Sequence, residues 1–198
     1  FTMQAAVINC QPAGDLSWYY SQAQPGDILL MADGIYDEAY TMTFDKEGIV
    51  LKAAEGAKPV IALTGAWTTI ELLASTTFDG ITFDGTNVCY YPISAFGSDA
   101  GTYAFKNCEF TGWMYWAISN HYEANTHVDN VLIENCLFHD AAGSAIYFND
   151  DAPTGEHACA NFEMKNSTLY NLVEDEYVGV IHVSSRSEAT GAQNKVVI

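Results

Sequence analysis

The stretch VLIENCLFHDAAGSAIYF (Val131–Phe148) decides the fold. It reads as a strand, a sharp bend at Asn135, a short strand, a glycine turn and another strand. Its first half recurs as FDGITF (Phe78–Phe83), FKNCEF (Phe105–Phe110), IENCLF (Ile133–Phe138) and MKNSTL (Met164–Leu169), with starts 27, 28 and 31 residues apart. A nearly constant period of this size marks a stacked repeat architecture. In each copy the first and last residues are apolar and are expected inside. The second is charged (Asp79, Lys106, Glu134, Lys165) and is expected in solvent. The third is Gly80, Asn107, Asn135 or Asn166, and Gly and Asn share a tolerance of left-handed backbone. That position is therefore a bend joining two strands. A third strand follows at Ala117–Ser119, Ala145–Tyr147 and Val180–His182. Three short strands in each turn of roughly 28 residues describe an all-β, right-handed, single-stranded parallel β-helix, its coils stacked at about 4.8 Å. Asn107, Asn135 and Asn166 are expected to form a ladder of bonded amides, buried enough that Asn135→Ala costs on the order of 1–3 kcal/mol.

The two ends of the chain read differently. In AGDLSWYYSQAQ (Ala13–Gln24) the residues Leu16, Tyr19, Tyr20 and Ala23 stand at helical spacing, and Asp15 is a natural N-cap. Pro25-Gly26-Asp27 stops the helix. A short helix here would cover the first coil, whose bare end would otherwise be an exposed sheet edge. At the other end NKVVI (Asn194–Ile198) resembles NVLI (Asn130–Ile133), so the chain stops where another copy of the repeat starts. The expectation is one β-helix domain over residues 1–198 that lacks C-terminal coils. A partner chain or end-to-end packing at the uncapped coil is the alternative.

Composition narrows the function. The chain carries 25 Asp and Glu against 7 Lys and Arg, a formal net charge of −18. Nucleic-acid binding rests on Lys and Arg, so that class is excluded. Any polyanionic substrate would need a local basic cluster or a bound cation. Apolar residues make up 49% of the chain, but no run approaches the ~20 residues of a membrane span. No signal-peptide pattern opens the chain, as in a mature or trimmed protein. The five cysteines (Cys10, Cys89, Cys108, Cys136, Cys159) are odd in number and match no zinc spacing. Cys108 and Cys136 share a repeat position and read as an internal ladder of small apolar side chains. A disulfide between them is the alternative.

A further pattern lies in the first half. A helix is followed by PGD (Pro25–Asp27), the apolar strand Ile28–Met31, DG-x-Y (Asp33–Tyr36), GIVLKA (Gly48–Ala53) and KPVIAL (Lys58–Leu63). This order, over roughly Asp15–Gly85, resembles the opening of the chondroitinase-B-like polysaccharide lyases, which have the pectin-lyase-like fold. It is also similar to β-helix proteins of unknown function in gut Bacteroidetes. The resemblance implies a secreted, periplasmic or cell-surface protein that cleaves a uronate-containing polysaccharide by β-elimination. Ca²⁺ would neutralise the uronate carboxylate there, and a Lys or Arg would act as base. The opening motif itself carries no catalytic residue, and the family's catalytic and metal motifs have no residue-by-residue match here.

Candidate chemistry follows from aligning the third strands on Ile118, Ile146 and Ile181. Three residues later stand His121, Asn149 and Ser184, and five residues later Glu123, Asp151 and Arg186. Two carboxylates one rung apart repel unless something positive lies between them. Ca²⁺, Arg186 or a shared proton would each serve, which makes Glu123 and Asp151 candidate Ca²⁺ ligands and leaves Arg186 and the adjacent Asp150 as catalytic candidates. The bland alternative is a solvated cluster with one ordinary ion pair worth about 0–1 kcal/mol. A second chemistry pairs Asp150-Asp151 with His182 for inverting glycoside hydrolysis, because Asn149–Asp151 resembles the polygalacturonase-type β-helices. Trp113, Tyr115 and Trp116, with His121 and Asn149, are candidate carbohydrate contacts, since aromatic faces pack on sugar C–H surfaces. The alternative is that the three rings pack on one another. His139, beside Asp140, and His157 read as exposed loop histidines. A non-catalytic carbohydrate-binding or surface-scaffold β-helix is the rival function. Aromatics without bases on one face would favour binding, and a Lys or Arg among carboxylates would favour the enzyme.

Overall fold

The computed structural model describes residues 4–95, 101–120, 128–150, 159–173, 179–185 and 195–198. It is a parallel β-helix in which the chain visits three sheets in turn. The first sheet has eight strands: Val7–Cys10, Ile28–Met31, Ile49–Ala53, Thr76–Asp79, Thr102–Lys106, Val128–Glu134, Cys159–Lys165 and Lys195–Val197. The second has six: Gly34–Glu38, Pro59–Leu63, Thr82–Asp84, Glu109–Thr111, Leu137–Ala141 and Thr168–Leu172. The third also has six: Met42–Phe44, Ile70–Leu72, Ile93–Ala95, Trp116–Ser119, Ser144–Asp150 and Ile181–Ser185. Six successive coils therefore give one strand to each sheet among the described residues.

The register is the one the repeat implies. Phe78 pairs with Phe105, Phe105 with Ile133 and Ile133 with Met164. Phe83, Phe110, Phe138 and Leu169 follow one another in the second sheet. Identical inward positions build continuous stacks along the axis. Phe83 and Phe110 lie 4.8 Å apart and Phe110 and Phe138 4.6 Å apart, both nearly parallel. Each such buried ring contributes roughly 1.5–3 kcal/mol of hydrophobic stabilisation.

The bend between the first two sheets is left-handed in four successive coils, with φ of 76° at Gly80, 53° at Asn107, 54° at Asn135 and 49° at Asn166. Asn135 Nδ2 donates to Asn107 Oδ1 at 3.3 Å, and Asn107 Nδ2 donates to Asp79 Oδ1 at 2.7 Å. This ladder lies in solvent, which corrects the expectation of a buried one and lowers its worth. A second left-handed corner, between the second and third sheets, is not apparent from the repeat. Gly112, Asp140 and Asn171 share it with φ of 69°, 50° and 52°, and Asn171 Nδ2 donates to Asp140 Oδ1.

The helix Leu16–Gln22 closes the first coil, and Asp15 Oδ1 caps it by accepting from the Ser17 and Trp18 amides. Leu16, Tyr20 and Ala23 are buried against the core, with Tyr20 4.7 Å from Phe44. Lys46 Nζ donates to the carbonyls of Tyr20, Ser21 and Ala23, at the end of the helix where orphan acceptors gather. No helix among the described residues is long and apolar enough to cross a membrane.

All five cysteines are buried and unbridged. Cys108 and Cys136 stack in consecutive coils, and burial pushes the Cys108 thiol well up. His139 is not a loop residue. It sits on the strand Leu137–Ala141 with 13% of its side chain exposed, Nδ1 2.7 Å from Asp140 and Nε2 2.8 Å from Glu109.

A candidate glycan-binding face

The third sheet and the corner leading into it carry the candidate site. The rungs run Met42, Ile70, Ile93, Ile118, Ile146 and Ile181, all turned into the coil. One residue later the row runs Thr43, Glu71, Ser94, Ser119, Tyr147 and His182. Strand alternation turns this second row to the outer face. Within it Glu71 is the one carboxylate side chain, and it accepts from Thr43 Oγ1 at 2.9 Å.

Three residues before the rung isoleucine stand Trp67, Tyr90 and Tyr115 in consecutive coils. Their backbones stack directly: the Tyr90 amide donates to the Ala66 carbonyl and the Tyr115 amide to the Tyr90 carbonyl. The ring of Trp67 is 4.9 Å from that of Tyr90, and Tyr90 is 5.0 Å from Tyr115, each pair edge to face. Tyr91 fills the space behind, 5.7 Å from Tyr115 and 5.2 Å from Trp116. Trp67 is 67% exposed and Tyr115 49%. Tyr40 stands at the same corner one coil earlier and is 84% exposed, and the neighbouring Thr41 Oγ1 donates to the Trp67 carbonyl.

Toward later coils the aromatic row continues but sinks. Trp116 stacks on Tyr147 at 4.1 Å and Tyr147 on His182 at 5.0 Å, with Trp116 and Tyr147 buried. The exposed row stops after Tyr115 because Gly143 follows it at the corner. A Cβ at Gly143 would stand 2.1 Å from the Tyr115 carbonyl oxygen, so no side chain fits there. The result is a ribbon of rings running parallel to the β-helix axis.

The sequence-derived candidates divide as follows. Tyr115 lies on the ribbon, half exposed, and Trp116 lies within it beneath a covering of neighbours. Trp113 does not belong to it. It is fully buried, its ring edge-on to Phe138 and its Nε1 donating to the Ser144 carbonyl at 2.8 Å. It lies with Tyr115 on the corner between the strands Glu109–Thr111 and Trp116–Ser119, where strand alternation does not apply and the left-handed turn at Gly112 carries its ring into the core. His182 closes the stack at the far end. The backbones of Asn149 and Asp150 pair with Ser184 and Ser185, in the register assumed for the site. His121, Glu123, Asp151 and Arg186 lie outside the described residues. Among the described residues no group of three metal-ligating side chains comes together.

Trp67, Tyr90, Tyr91 and Tyr147 are the residues that sequence reading passes over as site members. A signal for two of them exists: Trp67 and Tyr90, with Tyr115, put an aromatic three positions before the rung isoleucine in three coils running. It stays hidden in the sequence because the rung between Ile70 and Ile118 is the strand Ile93–Ala95, only three residues long.

No protein-family model and no curated protein matches the chain. Among solved structures it is similar to AlyGC, an alginate lyase of the PL6 family solved as a point mutant, with TM-score 0.72 and 19% identity over 98% of this chain. The match takes in 32% of that enzyme, so this chain spans about a third of its length. A pectin methylesterase solved with a hexasaccharide matches more weakly, with TM-score 0.40 and 14% identity over 89% of this chain and 68% of that one. At these identities the AlyGC likeness is one of fold.

Proposed function

We propose that the protein is a polysaccharide-active β-helix that lays a glycan chain along its third sheet, parallel to the axis. The ribbon Trp67–Tyr90–Tyr115 carries this reading. Exposed rings in one file, repeating with the coil, give a linear polymer a contact at every step, where scattered surface aromatics would not. Sharing its fold with an alginate lyase supports a polysaccharide as the ligand class, and such a ligand supports a secreted, periplasmic or cell-surface location. Affinity electrophoresis through gels cast with single polysaccharides tests the reading. Retardation by at least one of them, weakened by Trp67→Ala, is expected, and unretarded migration through all would overturn it.

The lyase reading adds chemistry at the far end of the ribbon. It is supported by the register of the strands Ser144–Asp150 and Ile181–Ser185, which pair side by side as far as Asp150 and Ser185. In this reading Arg186 in its neutral form would take the C5 proton of a uronate, the C4–O bond would break as the C4=C5 double bond forms, and the departing oxygen would take a proton from water, with Asp150 and His182 as the other catalytic candidates. Glu123 and Asp151 offer hard oxygen donors of the kind Ca²⁺ takes, and the ion would neutralise the uronate carboxylate. His121 and Asn149 would contact the sugar. Incubation with alginate, chondroitin and pectin, with and without Ca²⁺, tests it through the ultraviolet absorbance of the unsaturated product. An Arg186→Ala-sensitive rise is expected, and a flat trace on all three would remove the enzyme and leave the binding module.

A further inference from the structure

The chemical class of the glycan follows from the charge and spacing of the ribbon. This step rests on the proposal that the ribbon binds a glycan. We infer that the ribbon takes an extended, uncharged glycan and not a polyanion, which sets this inference against uronate cleavage at the ribbon's far end and leaves the glycan-binding reading as its basis.

The first observation is where the cations are. Lys46 is spent on the helix end, with its Nζ 2.8 to 3.2 Å from three carbonyls. Lys52, Lys106 and Lys165 belong to the first sheet, and two of them face carboxylates there, Lys52 to Asp79 at 3.6 Å and Lys165 to Glu163 at 2.8 Å. Lys58 precedes a strand of the second sheet. Among the described residues, the third-sheet row beside the ribbon carries Glu71 and hydroxyl groups and no lysine. The whole chain is at −18. A polyuronate laid along Trp67, Tyr90 and Tyr115 would bring one negative charge per sugar against an acidic protein, with no lysine among the described residues beside it. An uncharged sugar meets what is present, ring faces flanked by hydroxyls of Thr41, Thr43 and Thr69.

The second observation is the repeat. Trp67 and Tyr115 are two coils apart, about 10 Å at ~4.8 Å per coil. Tyr90 between them is turned edge-on to both, at 87° and 74°. Consecutive rings of the ribbon are therefore turned edge-on to one another from coil to coil. An extended β-linked pyranose chain advances by nearly one coil per sugar and flips its ring at each step. Its disaccharide repeat thus matches two coils in length.

Isothermal titration of the chain with cellohexaose, mannohexaose and xylohexaose, and with oligoalginate and oligogalacturonate with and without Ca²⁺, tests this. At least one neutral hexasaccharide should bind, with an affinity that low and high salt leave unchanged. Trp67→Ala and Tyr115→Ala should each weaken it about tenfold, the loss of one ring contact. Far-UV circular dichroism of the two variants should match the parent, since both side chains are exposed. Binding of the uronates alone would overturn the inference and leave the glycan-binding reading standing. Neutral-sugar binding that both substitutions leave intact would remove the ribbon as its site. No binding by either class would overturn both.

Discussion

Truncating Trp113 to alanine should nearly unfold the protein, whereas the same truncation at Tyr115, two residues on, should leave it folded. Trp113 is fully buried, and its indole N–H is the partner of the Ser144 carbonyl. Removing a buried indole costs about 3–5 kcal/mol through lost burial and the cavity left behind. Orphaning a buried carbonyl adds part of a further 1–3 kcal/mol, so the total is about 4–6 kcal/mol. Domains have only about 5–15 kcal/mol to lose. Trp113→Phe separates the two contributions. It keeps most of the packing and drops the N–H, for an expected cost of about 1–3 kcal/mol. Tyr115 is half in solvent and loses chiefly its ring contacts with Tyr90 and Tyr91, worth about 1 kcal/mol or less at such exposure. Urea unfolding followed by far-UV circular dichroism reads all three variants. Equal destabilisation by Trp113→Ala and Tyr115→Ala, or a Trp113→Ala protein of parental stability that no longer binds glycan, would refute the assignment of one ring to the core and the other to the face.

Other consequences are as direct. Burial disfavours the charged ring of His139, but bonds to Asp140 and Glu109 together outweigh it and hold its pKa above the usual histidine value. Its stabilisation should be full below about pH 6.5, the unfolded value, and fade as pH rises through the higher folded value, so the stability gap between the protein and His139→Gln should shrink toward alkaline pH. A gap that widens would contradict the two-carboxylate clamp. Burial, with Asp15 and Asp37 nearby, raises Glu38 to about 7. Glu38→Gln should therefore flatten the loss of stability between the ordinary glutamate range and neutrality. At the left-handed bend, Asn135→Gly should cost less than ~1 kcal/mol and Asn135→Ala about 1–2 kcal/mol, because backbone conformation outweighs an exposed amide ladder there. Melting curves in the reverse order would put the ladder first. Burial lifts the thiols of Cys10, Cys89 and Cys159 to between about 11 and 12, so an aromatic disulfide reagent should label the protein only after unfolding.

The architecture was legible because a β-helix writes the same constraint many times. Four copies of one six-residue pattern gave the period, the bend and the inward rows, and every expected pairing among them is present. The helix was legible from Asp15 and from the spacing of Leu16, Tyr20 and Ala23. Legibility failed where the repeat is short or broken. Strands of three residues, such as Met42–Phe44, Ile70–Leu72 and Ile93–Ala95, are too brief to show alternation. With those rungs unplaced, Trp67 and Tyr90 had no coil to belong to, and their alignment with Tyr115 stayed hidden. Trp113 and Tyr115 show the complementary limit, since composition marks both as aromatic and both sit on a corner between strands, where no alternation tells which one faces out. Of the proposed catalytic set, Asp150 and His182 stand on strands in the expected register, while Glu123, Asp151 and Arg186 lie beyond the described residues.

A crystal structure with a bound neutral hexasaccharide tests the central claim most directly. The account predicts a glycan running parallel to the β-helix axis, with sugar faces on Trp67 and Tyr115, two coils apart, and Tyr90 meeting the ring between them edge-on. A sugar chain seated on the first or second sheet, or crossing the third sheet at right angles to the axis, would contradict it.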